Sequence, residues 1–477
     1  MLRSGAVSDD VVYLSATRQA ELIRAKQVSP VELLRAYLDR IDRLDARLRA
    51  YITVTREAAL AAARQAEDAV LRGARLGPLH GVAFAVKDQF ATRGVRTTAG
   101  SRILADNVPD EDATVVARLT AAGGILLGKL NLTEFALGGT INFPFGQPRN
   151  PWNTEHDTGG SSAGSGAAVA AALCAVSLGE DTGGSVRTPA SWCGVAGHRP
   201  TWGLVSRHGC IPLAWSLDAP GPLGRTVEDC ALVLRIIAGH DPRDPLTTRR
   251  TPPDYRAALT GDINGLRVGV IRELTYGAET DPEMRDAVLA AIDVLARLGA
   301  AADEVSLPLL PSAGAAFMAI CDSEGAARHL GWLRTRPGDY DQGTRRRLLA
   351  AGLIPAALVQ KGQQARALVR AQVLDALARF DVLVAPTSHR PAPAIAAFTA
   401  PITSKAEAAA RFFTRRSFTT PAALAGTPAM AVPCGFSASG LPLSLQIIGR
   451  RYEDATVLRV GHAYEQATEW HRRRPTL

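Results

Sequence analysis

The chain has 477 residues, of which 47% are hydrophobic and 21% are charged, as in an ordinary globular protein with a sizeable core. Its net charge of +8 comes from 54 basic and 46 acidic residues that are spread along the whole sequence. Because the longest basic runs are two arginine triplets, at 345–347 and 472–474, the charge pattern argues against a nucleic-acid partner.

The sequence also lacks the usual signals of export and membrane insertion. The first residues contain neither the apolar core nor the small-residue cleavage site of a secretory signal, and the longest small-apolar run, 166–176, is too short to span a bilayer. Six cysteines lie in apolar contexts without a CxxC pair. We therefore expect a cytoplasmic protein with reduced, buried thiols and no membrane contact.

The first part of the chain, residues 1–72, predicts a helical segment. The sequence SPVE at 29–32 is typical of a helix start with proline at the first helical position, and apolar residues recur at helical spacing to about residue 46. Residues 51–54 predict a short strand, and residues 56–72 predict an alanine-rich helix.

From residue 77 onward, strand and helix patterns alternate. The apolar run 82–86 predicts a buried strand that ends at Lys87. Further helices are expected at 113–122, 132–137, 161–173 and 283–298, and further strands at 125–127, 176–178, 267–270, 382–385, 429–432 and 443–447. This order predicts an α/β protein with a large mixed β-sheet flanked by helices on both faces. We expect residues 1–477 to form a single domain.

Two segments rich in glycine and serine lie within this α/β region. The first, GGSSAGS, contains Ser161, and the second, DTGGSVR, contains Ser185. Serine is a poor nucleophile at neutral pH, so it needs a base within reach and N–H donors for the oxyanion that it creates. The glycines before Ser185 leave consecutive N–H groups unshielded, while Lys87, if buried and neutral, can accept a proton relayed by Ser161. These residues predict an acyl-transfer site without histidine.

Other interpretations of the same residues are weaker. The sequence GSSAG also fits the GxSxG elbow of α/β-hydrolases with Ser162 as nucleophile, but that motif needs a strand directly before it, and residues 150–157 predict a turn-rich loop. His156 and His198 are alternative bases, although a histidine near a loop is more often structural. No Gly-Lys-Ser/Thr follows the glycines, which argues against a phosphate loop. A further alternative is that both glycine- and serine-rich segments are turns with no catalytic role.

The chain resembles the amidase signature family. The resemblance is carried by residues 159–203, which match the signature of that family, and by the separation of Ser161 and Ser185. It extends to VKDQF around Lys87, to GKLNLTEFALG from residue 128, to SLDAPGPLGRTVEDC from residue 216, and to LPLSLQIIGRR near the end.

The resemblance implies a role for each matching residue. It makes Ser185 the nucleophile, Ser161 the serine that follows a cis peptide bond, and Lys87 the base. The oxyanion is expected to be held by backbone N–H groups of Thr182, Gly183, Gly184 and Ser185. Three further residues are expected to support the loops: Asp181, Arg187 and Ser162. The resemblance implies no metal and no organic cofactor.

The resemblance also implies a reaction. The expected function is hydrolysis of a carboxylic amide, or of a hydrazide, carbamate or urea-type C–N bond, through an acyl-enzyme. The alternative is the glutaminase subunit of an aspartyl/glutamyl-tRNA amidotransferase, and a more remote one is a non-catalytic binding or scaffold relative. We expect a small-molecule amide as substrate and no nucleic acid as partner, and we leave open whether the chain forms a homodimer. Residues 77–230 are expected to form the catalytic core, and residues 306–407 a variable segment on the substrate side.

Overall fold

The computed structural model describes residues 9–398 and 403–477. Eleven strands are found in these residues. They are β1 (Tyr51–Val54), β2 (Ala83–Lys87), β3 (Ile125–Leu130), β4 (Val176–Glu180), β5 (Ala196–Arg199), β6 (Pro220–Gly224), β7 (Arg267–Ile271), β8 (Ala301–Val305), β9 (Val382–Pro386), β10 (Ala429–Phe436) and β11 (Pro442–Gly449).

Sixteen α-helices are found in the same described residues. They are α1 (Asp9–Val12), α2 (Ala16–Arg24), α3 (Pro30–Leu48), α4 (Arg56–Leu71), α5 (Thr114–Ala121), α6 (Ala163–Ala170), α7 (Arg187–Cys193), α8 (Val227–Ile237), α9 (Arg272–Thr275), α10 (Pro282–Arg297), α11 (Ala313–Thr335), α12 (Gln342–Ala351), α13 (Ala356–Arg379), α14 (Lys405–Phe412), α15 (Thr420–Ala425) and α16 (Asp454–Gln466). None of the helices described is long and apolar enough to cross a membrane.

All the strands form one mixed sheet, which confirms the predicted fold class. Its order is β1-β3-β2-β4-β6-β5-β10-β11-β9-β7-β8. The pairs β2–β3, β2–β4, β7–β8 and β7–β9 are parallel, and the remaining pairs are antiparallel.

Each face of the sheet has its own hydrophobic core. Along β9, Val382 and Val384 belong to one cluster, which also contains residues of α3, α8 and α16. Leu383 and Ala385 belong to the other cluster, which contains residues of α11, α13 and α15. Because successive side chains of a strand point to opposite faces, this alternation shows that helices cover both sides of the sheet.

The sheet brings the ends of three neighbouring strands to one edge. Lys87 ends β2 and Glu180 ends β4, and these two strands run parallel, so both residues lie at the same edge. Strand β6 is antiparallel to β4 and pairs Pro220 with Glu180. Asp218, just before β6, therefore also lies at this edge, where the predicted site residues should meet.

The structure differs from the sequence predictions around two short helices. The helix expected at 132–137 is only a 3₁₀ turn, Glu134–Ala136, in which Phe135 has a left-handed φ of 50°. The N–H of Phe135 donates instead to the oxygen of Ala99 at 2.8 Å, so a tertiary contact replaces a helical bond. The helix expected from residue 161 begins at Ala163 as α6, which leaves Ser161 in the preceding loop.

Candidate active site

Lys87 is the last residue of β2 and is fully buried, because β3 and β4 pair with β2 on either side. Burial lowers the pKa of Lys87 below its usual range, since the ammonium loses its hydration there. Its Nζ lies 2.8 Å from Ser161 Oγ and 3.4 Å from the backbone oxygen of Glu180. A neutral amine in this position can accept the proton of Ser161.

The loop before α6 carries Ser161, whose peptide bond to Gly160 is cis, as the family resemblance implies. The next residue holds this loop against the sheet: Ser162 Oγ donates to the carbonyl oxygen of Glu180 at 3.3 Å and accepts from the N–H of Glu180 at 3.4 Å. No strand directly precedes the loop in the described part of the chain. Ser162 is thus a loop anchor, and the α/β-hydrolase elbow does not fit.

Ser185 lies in the turn between β4 and α7 and is half-buried, unlike Lys87 and Ser161. Its carbonyl oxygen accepts from the N–H of Ser162 at 3.4 Å, so the two glycine-rich loops touch. Within residues 9–398 and 403–477, the Ser185 hydroxyl makes no hydrogen bond, and Ser161 Oγ is bonded to Lys87 alone. The structure therefore joins Lys87 to Ser161 and brings the Ser185 loop beside them, without closing the second hydrogen bond.

The turn before Ser185 carries the predicted oxyanion donors, and one of them is already engaged. The N–H of Gly184 donates to Asp181 Oδ1 at 2.7 Å, so it is not free for an oxyanion, and its predicted role as a donor needs correction. The N–H groups of Thr182, Gly183 and Ser185 have no acceptor in the part of the chain that the structure describes. These three are the donors that remain.

Asp181 and Arg187 form a buried ion pair that shapes this turn. Both Arg187 Nε and Nη2 lie 3.0 Å from the Asp181 carboxylate, and Arg199 Nη1 lies 3.1 Å from Asp181 Oδ1. Although burial opposes ionisation, the two guanidinium groups hold the pKa of Asp181 well below its usual range. Asp181 is therefore an ionised anchor for the turn.

Sequence analysis missed two carboxyl groups next to the base. Glu180 Oε2 lies 3.7 Å from Lys87 Nζ, and Glu180 Oε1 lies 2.9 Å from Thr182 Oγ1. The same hydroxyl lies 2.8 Å from Asp218 Oδ1. Burial raises the pKa of Glu180, and it raises that of Asp218 to about 8. The sequence signal that could have identified Glu180 is its position as an acidic residue at the end of the apolar strand β4, directly before Asp181.

One wall of the site comes from the segment 306–407. Phe317 of α11 packs against the turn, so that a Cβ on Gly183 would overlap its ring. The sequence predicted that this segment borders the site but singled out no residue in it, because an isolated phenylalanine on a helix carries no signal of a pocket.

The histidines that competed for the role of base are structural. His198 Nε2 lies 3.0 Å from Asp454 Oδ1, and both residues are fully buried. His156 makes backbone hydrogen bonds in the loop before Ser161, and burial lowers the pKa of its ring. Among the residues described, no group of three or more His, Cys, Asp or Glu side chains could hold a metal ion.

Comparisons with known proteins agree with this geometry. A family model described as Amidase matches residues 32–458. The chain belongs to the amidase family. It is therefore an amidohydrolase that acts on linear amide C–N bonds.

Three relatives of this amidase are especially similar. The A subunit of the glutamyl-tRNA(Gln) amidotransferase from Moorella thermoacetica is 43% identical, over 98% of this chain and 99% of the relative. The second relative is a chain of a vestigial protein complex whose structure was described with the evolutionary origins of an s-triazine catabolic enzyme. It has a TM-score of 0.89 at 34% identity, and the match covers 97% of this chain and 100% of the relative. The A subunit of the same amidotransferase from Thermotoga maritima has a TM-score of 0.81 at 33% identity, with 97% and 96% covered.

These relatives correct the expected partners. The sequence predicted an amidase with a small-molecule amide as its substrate and no nucleic acid as partner, with a homodimer left open. That prediction is wrong, because the Moorella relative is named as part of an enzyme of glutamyl-tRNA metabolism and matches over almost the whole chain. Scattered basic residues gave no sign of this, since one subunit of an assembly need not itself carry the basic surface that binds a nucleic acid.

Proposed function

We propose that this amidase is the amide-hydrolysing subunit of an assembly of the glutamyl-tRNA(Gln) amidotransferase type, in which it releases ammonia from glutamine for a partner subunit. The observation that carries this proposal is the 43% identity to the A subunit of the Moorella amidotransferase over 98% of the chain. It was the alternative function expected from sequence, and it replaces the free-standing amidase as the preferred one.

In the proposed mechanism, Lys87 and Ser161 activate Ser185. Lys87, whose pKa burial lowers, accepts the proton of Ser161 from its neutral form, and Ser161 takes the proton of Ser185 as Ser185 Oγ attacks the amide carbon. The hydroxyl of Ser185 can turn toward Ser161 because it makes no competing hydrogen bond with any described residue. Such hydrogen bonds often tighten only when substrate is bound.

The backbone of the turn then stabilises the tetrahedral intermediate. The N–H groups of Thr182, Gly183 and Ser185 are directed at no other acceptor among the described residues, which supports their role as oxyanion donors. When the intermediate collapses, the C–N bond breaks and Ser161 passes its proton to the departing amine. The acyl group stays on Ser185 until water, activated by the same relay, releases the acid.

A second candidate is an amidase that hydrolyses a different amide or a urea-type C–N bond. The observation in its favour is the TM-score. It is 0.89 for the chain from the vestigial complex and only 0.81 for the Thermotoga amidotransferase chain. Identity to the Moorella relative outweighs it, because 43% exceeds the 34% found for the chain from the vestigial complex.

Ammonia release distinguishes the two candidates. The purified chain is assayed with glutamine, asparagine, benzamide and biuret, each of which releases ammonia on hydrolysis, with and without the other amidotransferase subunits of Moorella, their glutamyl-tRNA and ATP to activate its carboxylate. We expect glutamine to be the best substrate and the added subunits to raise its hydrolysis and to yield glutaminyl-tRNA. Hydrolysis of another amide with none of glutamine would instead establish the second candidate. The Ser185→Ala variant measures background release.

A further inference from the structure

The hydroxyl of Thr182 lies between two buried carboxyl groups. Its Oγ1 is 2.9 Å from Glu180 Oε1 and 2.8 Å from Asp218 Oδ1. Glu180 is fully buried and Asp218 is 2% exposed. A hydroxyl has one hydrogen, so Thr182 can donate a hydrogen bond to only one of these oxygens and must accept a hydrogen bond from the other. The geometry therefore requires a protonated carboxyl group at one end of this bridge.

Burial raises the pKa of both carboxyl groups, and their hydrogen-bond partners distinguish them, with Glu180 as the better site for that proton. Asp218 accepts hydrogen bonds from the N–H of Leu213 at 2.9 Å and from that of Ala214 at 3.0 Å, and such bonds favour its charged form. Among the described residues, the carboxyl of Glu180 receives no backbone N–H, and its Oε2 has no hydrogen-bond partner. Glu180 is thus the less solvated carboxylate of the two.

The distance from Glu180 to the base agrees with this assignment. Lys87 Nζ and Glu180 Oε2 are 3.7 Å apart, well beyond the 2.7–2.9 Å of a charge-assisted hydrogen bond. Other ionisable groups also face the pair. Cys210 lies near both carboxyl groups, Asp181 adjoins Glu180 in sequence, and Arg199 from β5 is held by Asp181. Since Arg199 is paired with Asp181, Lys87 is the cation left to respond to Glu180.

We propose that Glu180 is a positioning residue for the base: bonded through Thr182 to Asp218, it stays protonated while Lys87 is neutral, and it ionises to balance the Lys87 ammonium once Lys87 has accepted the serine proton. This inference rests on the role of Lys87 in the proposed function. It adds a second titratable group, Glu180, that controls the charge of Lys87.

The proton transfers balance within the cluster. When Lys87 gains a proton from Ser161, Glu180 gives its own proton to Thr182 Oγ1, and Thr182 passes its hydroxyl proton to Asp218. Glu180 becomes an anion beside the new ammonium, Asp218 becomes neutral, and Thr182 is unchanged. The oxyanion on the substrate carries the remaining negative charge. When Lys87 returns its proton, the three transfers reverse.

Asp218 also connects this cluster to the surface. It lines a cavity of about 210 Å³ together with Arg207, Cys210 and Trp215, and Trp215 is 60% exposed. The proton on Asp218 can therefore equilibrate with solvent on the side of the cluster away from Ser161, without passing through the reacting atoms.

The rate of Ser185 labelling by a fluorophosphonate, measured against pH, tests the proposal without needing the natural substrate. In this reaction Ser185 Oγ bonds to phosphorus, fluoride leaves, and the proton goes to Lys87 through Ser161. In Glu180→Gln the neutral amide cannot balance an ammonium, so Lys87 becomes a weaker base. We expect the acid limb of the profile to move down by about one pH unit and the plateau rate to fall.

Thr182→Val removes the bridge between the two carboxyl groups and tests the proton transfer itself. Without the hydroxyl, Glu180 loses the hydrogen bond that favours its charged form and cannot pass its proton to Asp218, so it stays neutral and the acid limb moves to lower pH, as in Glu180→Gln. The matched control is Glu465→Gln, a buried carboxyl whose pKa is also raised but which lies on α16 and contacts the N–H of Val227. Its acid limb should match that of the wild type.

Each outcome has a defined meaning. A limb that moves to lower pH in both Glu180→Gln and Thr182→Val, but not in Glu465→Gln, supports the proposal. A limb that stays in place or moves to higher pH in either variant overturns it while leaving the role of Ser185 intact. An adduct on a residue other than Ser185 in the wild type overturns the proposed function and this inference together.

Discussion

The ring of Phe317 lies against Gly183 so closely that a Cβ on this glycine would overlap it. Phe317 belongs to α11, and Gly183 provides one of the free N–H groups of the turn before Ser185. The aromatic ring therefore packs against the residue that provides a proposed oxyanion donor. In a site of low dielectric such a donor stabilises developing charge more strongly than it would in water.

The contact predicts a steric effect that a second substitution can relieve. Gly183 does not have a left-handed φ, so Gly183→Ala affects packing rather than backbone conformation. Overpacking typically costs about 1–3 kcal/mol, and we expect kcat/KM for amide hydrolysis to fall about ten- to hundredfold. Adding Phe317→Leu should restore most of it. Gly331→Ala, in open space on the same helix, is the control and should leave kcat/KM unchanged.

Ser185 is predicted to carry the acyl group. Ser185→Ala should lower kcat by roughly 10⁴-fold or more, as when the nucleophile of a serine hydrolase is removed. Mass spectrometry after incubation with a slow amide should place the adduct on Ser185. Ser162→Ala is the control: it removes the loop anchor and should keep the adduct on Ser185. An adduct on Ser162 in the wild type would contradict the assignment.

Lys87 is predicted to act as a base and not as a fixed charge. Arginine keeps the charge but cannot release its proton, so Lys87→Arg should be nearly as inactive as Lys87→Ala, whereas Lys361→Arg on the exposed surface should be neutral. Because burial lowers the pKa of Lys87, kcat/KM should fall on the acid side with an apparent pKa well below the ~10.4 of free lysine. If Lys87→Arg kept more than about a tenth of the activity, a loss of only ~1.4 kcal/mol, another base would be required.

Glu465 predicts how the stability of the fold depends on pH. Burial raises its pKa to about 8, so between its ordinary value of ~4.3 and 8 the folded chain binds more protons at this site than the unfolded chain. This stabilisation is complete below the unfolded pKa and is lost as the pH rises through 8. Glu465→Gln stays neutral throughout, so its Tm should exceed that of the wild type increasingly from pH 6 to 9. Thermal unfolding at several pH values measures this, and parallel Tm curves would contradict it.

Much of the site could be predicted from sequence because its signals are local. The glycines beside Ser161 and Ser185 are needed where the backbone packs closely: in the first loop, Gly164 faces the oxygen of Ala50, where no Cβ would fit. The apolar run before Lys87 indicated a buried strand, and a buried amine follows from it. In the same way, the periodicity of α3 and its Ser29 cap predicted the helix bounds closely.

The sequence by itself determined the family and the α/β class, and it predicts which residues perform the chemistry, because each of these depends on residue type and short spacing. Only the tertiary structure decided which groups surround the base. Glu180, Asp218 and Phe317 come from β4, the loop before β6 and α11, and no spacing in the chain relates them to Lys87 or Gly183. Sheet order brings them together, and burial then sets the charge of each group.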